Sequence, residues 1–256
     1  METLLSVKEV GKVYGKGTNS FDALRHISFE IDYGEFVGVM GPSGSGKSTL
    51  LNVLATIDKP SSGEIHLEEN NLVQMNEGKL ADFRKKHLGF IFQEYNLLDS
   101  LTVKENILLP LAIAKKKVKD IEERIDKIVK AFGIDYIIDK YPYQISGGQK
   151  QRAAACRALI TNPKLIFADE PTGALDSKSA QSLLETLRSM NDDNETTIMM
   201  VTHDAFAASF CRRILFLKDG EIFKEIFRKN QSREQFYQSI LEELAQMGGG
   251  DNHDTV

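Results

Sequence analysis

Residues 35–40 (EFVGVM) run directly into Gly41-Pro42-Ser43-Gly44-Ser45-Gly46-Lys47-Ser48-Thr49, and residues 47–57 continue as KSTLLNVLATI. The first stretch is a short apolar run ending at a glycine, the pattern of a fully buried strand. The last has the apolar spacing of a helix. Strand, glycine-rich turn and helix in that order form the opening unit of a nucleotide-binding α/β domain. The turn fits G-x-x-x-x-G-K-[ST], in which glycines let backbone N–H groups point inward at phosphate oxygens. In this arrangement residues 41–49 form the phosphate cradle. Lys47 reaches the β- and γ-phosphates as a point charge, the Ser48 hydroxyl is a Mg²⁺ ligand, and the following helix adds its N-terminal dipole.

The rest of the chain continues this order. Residues 4–14 and 23–31 alternate apolar and polar side chains, as half-buried strands do. A strand-like LGFIF occupies 88–92, and 102–140 reads as helical, with Ile121, Ile125, Ile128, Val129 and Phe132 on one face. Buried-strand signals resume at 165–169, 197–202 and 213–219, separated by helical stretches. Strands alternating with helices imply a largely parallel sheet covered on both faces, with the helical middle inserted into it. We therefore expect one α/β domain over 1–230 carrying a helical insertion at about 95–160. A helix at 231–247 with Phe236, Ile240, Leu244 and Met247 on one face is expected to dock, and a disordered tail to follow at 248–256.

Bulk properties narrow the class. The 256 residues are 41% hydrophobic and 27% charged, with a formal net charge of −5, which argues against a nucleic-acid-binding surface. The basic runs 84–86 and 115–119 read as solvated helix faces. The longest uncharged apolar stretch, Ile107 to Ala114, contains Pro110 and falls well short of the roughly 20 residues needed to span a bilayer. No signal peptide is expected from the first thirty residues, and Cys156 and Cys211 are expected to be reduced thiols.

A phosphate loop needs an acid to hold its metal, and Lys164-Leu-Ile-Phe-Ala-Asp169 supplies one at the end of an apolar strand. Glu170 follows directly. The two carboxylates can divide the work, Asp169 holding Mg²⁺ and Glu170 acting as general base on the attacking water.

Ile145-Ser146-Gly147-Gly148-Gln149-Lys-Gln-Arg152 is a Ser-Gly-Gly turn opening an Ala-rich helix. Its small residues admit close approach of an anion to backbone N–H groups. The stretch resembles the signature motif of the ABC (ATP-binding cassette) transporter ATPases, with isoleucine at 145 where leucine is commoner. The resemblance covers about residues 4–225 and implies a P-loop NTPase fold. That fold has a mostly parallel sheet, an antiparallel N-terminal β subdomain and an inserted helical subdomain. It implies roles for four further regions. Tyr14 resembles the aromatic residue that stacks on adenine, and Gln93 the glutamine that touches Mg²⁺ and the water. Ala174-Leu175-Asp176 resembles the D-loop, and His203 the switch histidine near the γ-phosphate. Taken alone, Tyr14 equally suits a strand aromatic, Gln93 a loop amide and His203 a cap.

The resemblance further implies a head-to-tail homodimer with two ATP molecules. Each is held between one chain's phosphate loop and Ser146, Gly147, Gly148 and Gln149 of the other. It also implies a membrane permease as partner, docked through the helical middle near Leu97, Leu98, Leu101, Ile107 and Leu108, with the chain at the cytoplasmic face of the membrane. The stretches 87–113 and 140–152 resemble the bacitracin-export ATP-binding (BceA) type within the MacB/LolD-like group. The permease expected there is large, with an extracellular domain, and is often wired to a sensor histidine kinase. The alternatives are lipoprotein release, cell division, or a non-transport ATPase associated with nucleic acid.

Overall fold

The computed structural model describes residues 2–114 and 121–248. Chain order begins with β1 (Thr3–Tyr14), β2 (Phe21–Asp32), β3 (Phe36–Met40) and α1 (Lys47–Leu54), then β4 (Ser62–Leu67) and β5 (Asn70–Asn71). Next come α2 (Glu77–His87), β6 (Leu88–Ile91), α3 (Val103–Ile113), α4 (Ile121–Ala131) and α5 (Gly147–Leu159). The chain closes with β7 (Leu165–Asp169), α6 (Ser177–Asn194), β8 (Thr197–Val201), α7 (Ala205–Ala208), β9 (Arg213–Lys218), β10 (Glu221–Phe227) and α8 (Arg233–Gly248). A four-stranded antiparallel sheet has the order β2-β1-β4-β5. A six-stranded sheet has the order β10-β9-β3-β8-β7-β6 and is parallel except for the β9–β10 pair.

Side chains alternate faces along a strand, and here both faces are apolar because both are covered. Val37, Val39, Leu165, Phe167, Met199, Val201, Leu215 and Leu217 pack with β1, β2, β4, α1 and α2. Phe36, Met40, Ile166, Ala168, Ile198, Met200, Ile214 and Phe216 pack on the other side with helices α3 to α8. Each fully buried Val, Leu, Ile, Phe or Met contributes about 1.5–3 kcal/mol, set against the entropy of ordering it.

Local chemistry sets the helix ends. α3 opens on a capping box in which the Thr102 hydroxyl accepts from Glu105 N and the Glu105 carboxylate accepts from Thr102 N. α6 opens on Asp176, whose carboxylate accepts from Lys178 N and Ser179 N. α1 stops at Leu54, short of the helical run read through residue 57, because Thr56 turns left-handed at φ +58°. The apolar face of α8 is occupied by this chain's own core: Phe236 and Ile240 are fully buried, and Glu243 pairs with Lys224 at 2.6 Å. Cys156 and Cys211 are buried and free. Burial pushes both thiols well up from their ordinary range.

Among the described residues no helix is long and apolar enough to cross a membrane. The basic run at 115–119 and the tail from 249 onward lie outside the described residues. On the helical middle, Ile107 is fully buried rather than exposed. A groove of about 410 Å³ opens instead where Phe90, Leu109 and Ile113 meet, with Arg84, Lys85 and Arg157 along it and no carboxylate in its lining.

Candidate active site

Three neighbouring parallel strands end level with one another. Val39 of β3 and Asp169 of β7 both pair with Val201 of β8, which lies between them. Two residues beyond that row stand Gly41 at the start of the glycine-rich loop and His203, with Glu170 one residue past Asp169. The parallel register thus gathers residues far apart in sequence at the carboxyl edge of the sheet, where α/β folds place ligands.

The loop at 41–46 is shaped by its glycines. Gly44 lies at φ +80° with open space where a side chain would begin, and Gly46 at φ +100° would bring a Cβ to 2.5 Å from the Ala23 carbonyl oxygen. The loop is therefore closed against β2 at Gly46 and open to solvent at Pro42, Ser43 and Gly44, which are exposed. Gly46 is also the N-cap of α1 and offers no side chain to the first-turn N–H groups, leaving them for an anion. Ser45 is buried and its hydroxyl has no protein partner. Ser48 is exposed and Thr49 half-buried. Lys47 Nζ donates to the carbonyls of Gly41 and Pro42, both at 2.8 Å. Burial lowers the Lys47 pKa, while the charges of Glu170 and Asp169 raise it.

Asp169 is itself half-buried. Desolvation and then the Glu170 charge raise its pKa, and Lys47 pulls it back down. Two carboxylates facing one lysine in a desolvated cleft favour a further cation. Among the described residues no group of three or more His, Cys, Asp or Glu could hold a metal alone. Mg²⁺ takes one or two protein ligands and completes its shell with phosphate and water. A hydroxyl such as that of Ser48 and a carboxylate such as that of Asp169 are donors of the kind such a site would use.

Glu170 adopts a left-handed conformation at φ +46°, with its N–H donating to Val201 O at 2.9 Å. Its Oε2 accepts from the Thr202 hydroxyl at 3.2 Å. Its Oε1 accepts from His203 N at 3.1 Å and lies 2.8 Å from His203 Nδ1. The Glu170 side chain is only 16% exposed, the His203 side chain 72%.

Gln93 follows β6, and a Cβ at Gly173 would sit 2.9 Å from its Nε2. The loops after β6 and β7 are tied together by the buried Gln151 of α5, whose Nε2 donates to Phe92 O at 3.1 Å and Pro171 O at 2.8 Å. Ser146 caps α5: its hydroxyl accepts from Gln149 N at 3.3 Å, and Gln149 Oε1 accepts from Ser146 N at 2.9 Å. The hydroxyl keeps its own proton available to donate. Gly147 faces the Tyr95 hydroxyl and Gly148 faces Ser179. No hydrogen bond among the described residues joins 146–149 to the loop at 41–49.

Tyr14, at the end of β1, is 41% exposed. Its hydroxyl donates to Asp58 Oδ2 at 2.8 Å. Burial and that carboxylate raise its pKa, and the Thr49 hydroxyl lowers it, which sets Tyr14 beside α1. The structure thus brings the loop at 41–49, Asp169, Glu170 and His203 to one edge, with Tyr14 flanking it. Residues 146–149 form a separate helix terminus. Asp58, Thr202 and Gln151 are contacts that sequence reading did not pick out. Only Thr202, closing a buried run immediately before His203, carried a sequence signal.

A family profile described as ABC transporter matches residues 24–173. The chain is 52% identical over 249 residues to the bacitracin export ATP-binding protein BceA of Halalkalibacterium halodurans, covering 97% of this chain and 98% of that protein. It is 51% identical to the ABC transporter ATP-binding protein YxdL of Bacillus subtilis, covering 98% and 97%. Its fold matches the dimeric post-hydrolysis state of the ATP-binding cassette MJ0796 of Methanocaldococcus jannaschii, bound to ADP and Pi. The TM-score is 0.81 at 38% identity, covering 88% of this chain and 99% of that one.

Proposed function

The chain belongs to the ABC transporter family as an ATP-hydrolysing cassette, and from that premise we propose that it powers a membrane permease in resistance to antimicrobial peptides. The similarity to a bacitracin export ATP-binding protein at 52% identity, spanning 97% of the chain, carries this reading.

In this account the adenine of ATP stacks on Tyr14 and its phosphates enter the glycine loop, meeting the N–H groups of residues 43–49. Lys47 exchanges the Gly41 and Pro42 carbonyls for β- and γ-phosphate oxygens. Ser48 and Asp169, with Gln93 nearby, would hold Mg²⁺, which neutralises phosphate charge when bound. Glu170 takes the proton of the attacking water, and His203 aligns Glu170 and approaches the γ-phosphate. Ser146, Gly147, Gly148 and Gln149 make no hydrogen bond to their own loop, and in this reading they serve the nucleotide of a second copy in a head-to-tail dimer. ATP closes the dimer, and hydrolysis with phosphate release reopens it.

The groove between β6 and α3 receives a helix of the permease. Its apolar floor and the cations Arg84, Lys85 and Arg157 along it, of which Lys85 pairs with Asp82 at 3.5 Å, fit an amphipathic segment bearing an acidic residue. Peptide specificity belongs to the permease, a large subunit with an extracellular domain that also links to a sensor histidine kinase. The cassette is then peripheral to the cytoplasmic face of the membrane.

The test is co-expression with the permease encoded beside it, followed by membrane fractionation and minimal inhibitory concentrations for bacitracin and lantibiotics. The proposal expects membrane recruitment and raised survival, with Lys47→Ala abolishing protection while recruitment persists. Unchanged peptide sensitivity on deleting both genes, with disturbed lipoprotein sorting or septation, would overturn the peptide assignment.

A further inference from the structure

We propose that Asp58, together with Lys12, is a positioning residue that presets Tyr14 as the adenine platform and fixes its distance from the phosphate loop. The proposal rests on the reading of Tyr14 as the base-stacking residue. The Asp58 carboxylate bridges two side chains of β1. Oδ2 accepts from the Tyr14 hydroxyl at 2.8 Å, and Oδ1 accepts from Lys12 Nζ at 2.7 Å. Lys12 Nζ donates also to Lys59 O at 2.7 Å and lies 4.8 Å from the centroid of the Tyr14 ring. The ammonium sits over one face of the ring, and the residue remains 41% exposed, so a base has room to stack.

Two further observations give this cluster a purpose beyond packing. The register of β1 against β2 slips at four places, two of them flanking Lys12 between Val10 and Val13, irregularities of the kind that re-aim side chains. Asp58 is also anchored to the phosphate-loop helix, because its N–H donates to Asn52 O at 3.1 Å. One residue therefore connects the element that presents the aromatic ring, through its carboxylate, to the helix that follows the phosphate loop, through its backbone N–H. Lys12 is 9% exposed, a desolvated cation matched by Asp58. A ring fixed before the nucleotide arrives spares the cost of ordering it on binding.

Calorimetric titration of the full chain with ATP, and separately with inorganic triphosphate, tests this on Tyr14→Ala, Tyr14→Phe, Asp58→Ala and the Tyr14→Phe/Asp58→Ala double variant. Tyr14→Phe keeps the ring, the Lys12–Asp58 pair and the fold but removes the tether. It and Asp58→Ala should each raise the Kd for ATP about threefold. The double variant should be no weaker than either single, and triphosphate affinity should be unchanged throughout. If Asp58→Ala does not fold, Tyr14→Phe decides alone. Wild-type ATP affinity in Tyr14→Phe, or parallel losses for ATP and triphosphate, would overturn the positioning role. Wild-type ATP affinity in Tyr14→Ala would instead remove the stacking reading and this proposal with it.

Discussion

Nδ1 of His203 lies 2.8 Å from Oε1 of Glu170, and the His203 backbone N–H reaches the same oxygen at 3.1 Å. An ionised carboxylate only accepts hydrogen bonds, through about four lone-pair positions, so a hydrogen bond across that contact requires the tautomer with its proton on Nδ1. With Thr202 on Oε2, three positions are engaged and one remains for a water. The left-handed backbone at Glu170 is strain of the kind that persists where surrounding contacts determine it. A rigid, aimed carboxylate is the consequence.

Removing the imidazole should therefore disturb turnover more than binding. His203→Ala leaves the Thr202 hydroxyl and the main-chain N–H on Glu170 but loses the side-chain contact. Turnover should fall roughly 10²-fold, the scale of a misplaced catalytic group, while ATP affinity stays near wild type. Steady-state kinetics with a binding titration checks both. A rise in Kd with unchanged kcat would place His203 outside the chemistry.

Ser146 caps its own helix and makes no hydrogen bond to the phosphate loop, so in the proposed dimer its substitution separates binding from assembly. On the proposed head-to-tail dimer, Ser146→Arg puts a bulky cation where the partner's γ-phosphate would dock. Nucleotide affinity of the isolated chain should be near normal, and dimer-dependent turnover should be lost. Measuring both in parallel is decisive, because loss of ATP binding itself would mean that 146–149 act on their own chain's site.

Helix α8 is part of the core by its packing. Phe236 is fully buried, and truncating a buried Phe costs about 3–5 kcal/mol. Phe236→Ala should lower unfolding stability by that amount in urea titration without moving the Kd for ATP of the remaining folded protein. A change below about 1 kcal/mol would show that the helix is dispensable to the fold.

Much of this was legible in the chain itself. The buried strands announced themselves as apolar runs, and the glycine loop by a pattern whose physical requirement is narrow. Residues 165–169 were read to the residue because Asp169 closes the run. Other features depended on tertiary geometry. Thr56 ends α1 early in a conformation that nothing in LATI signals. The Tyr14–Asp58 bond joins residues 44 positions apart, and Gln151 bridges Phe92 and Pro171 through main-chain oxygens that any residue offers. Helix α2 keeps just two buried side chains, Leu80 and Phe83, too sparse a stripe to stand out. The apolar face of α8 was visible, but periodicity does not say what covers it.

The central claim is that Glu170 is the general base of an ATP-hydrolysing cassette. Glu170→Gln preserves shape and leaves Lys47, Ser48 and Asp169 in place, so ATP should still bind and ATP-bound dimers should accumulate. Steady-state ATP hydrolysis by the purified variant against wild type is the most direct measurement. The account predicts a fall of roughly 10²–10⁴-fold, the usual contribution of a positioned base; hydrolysis at the wild-type rate would contradict it.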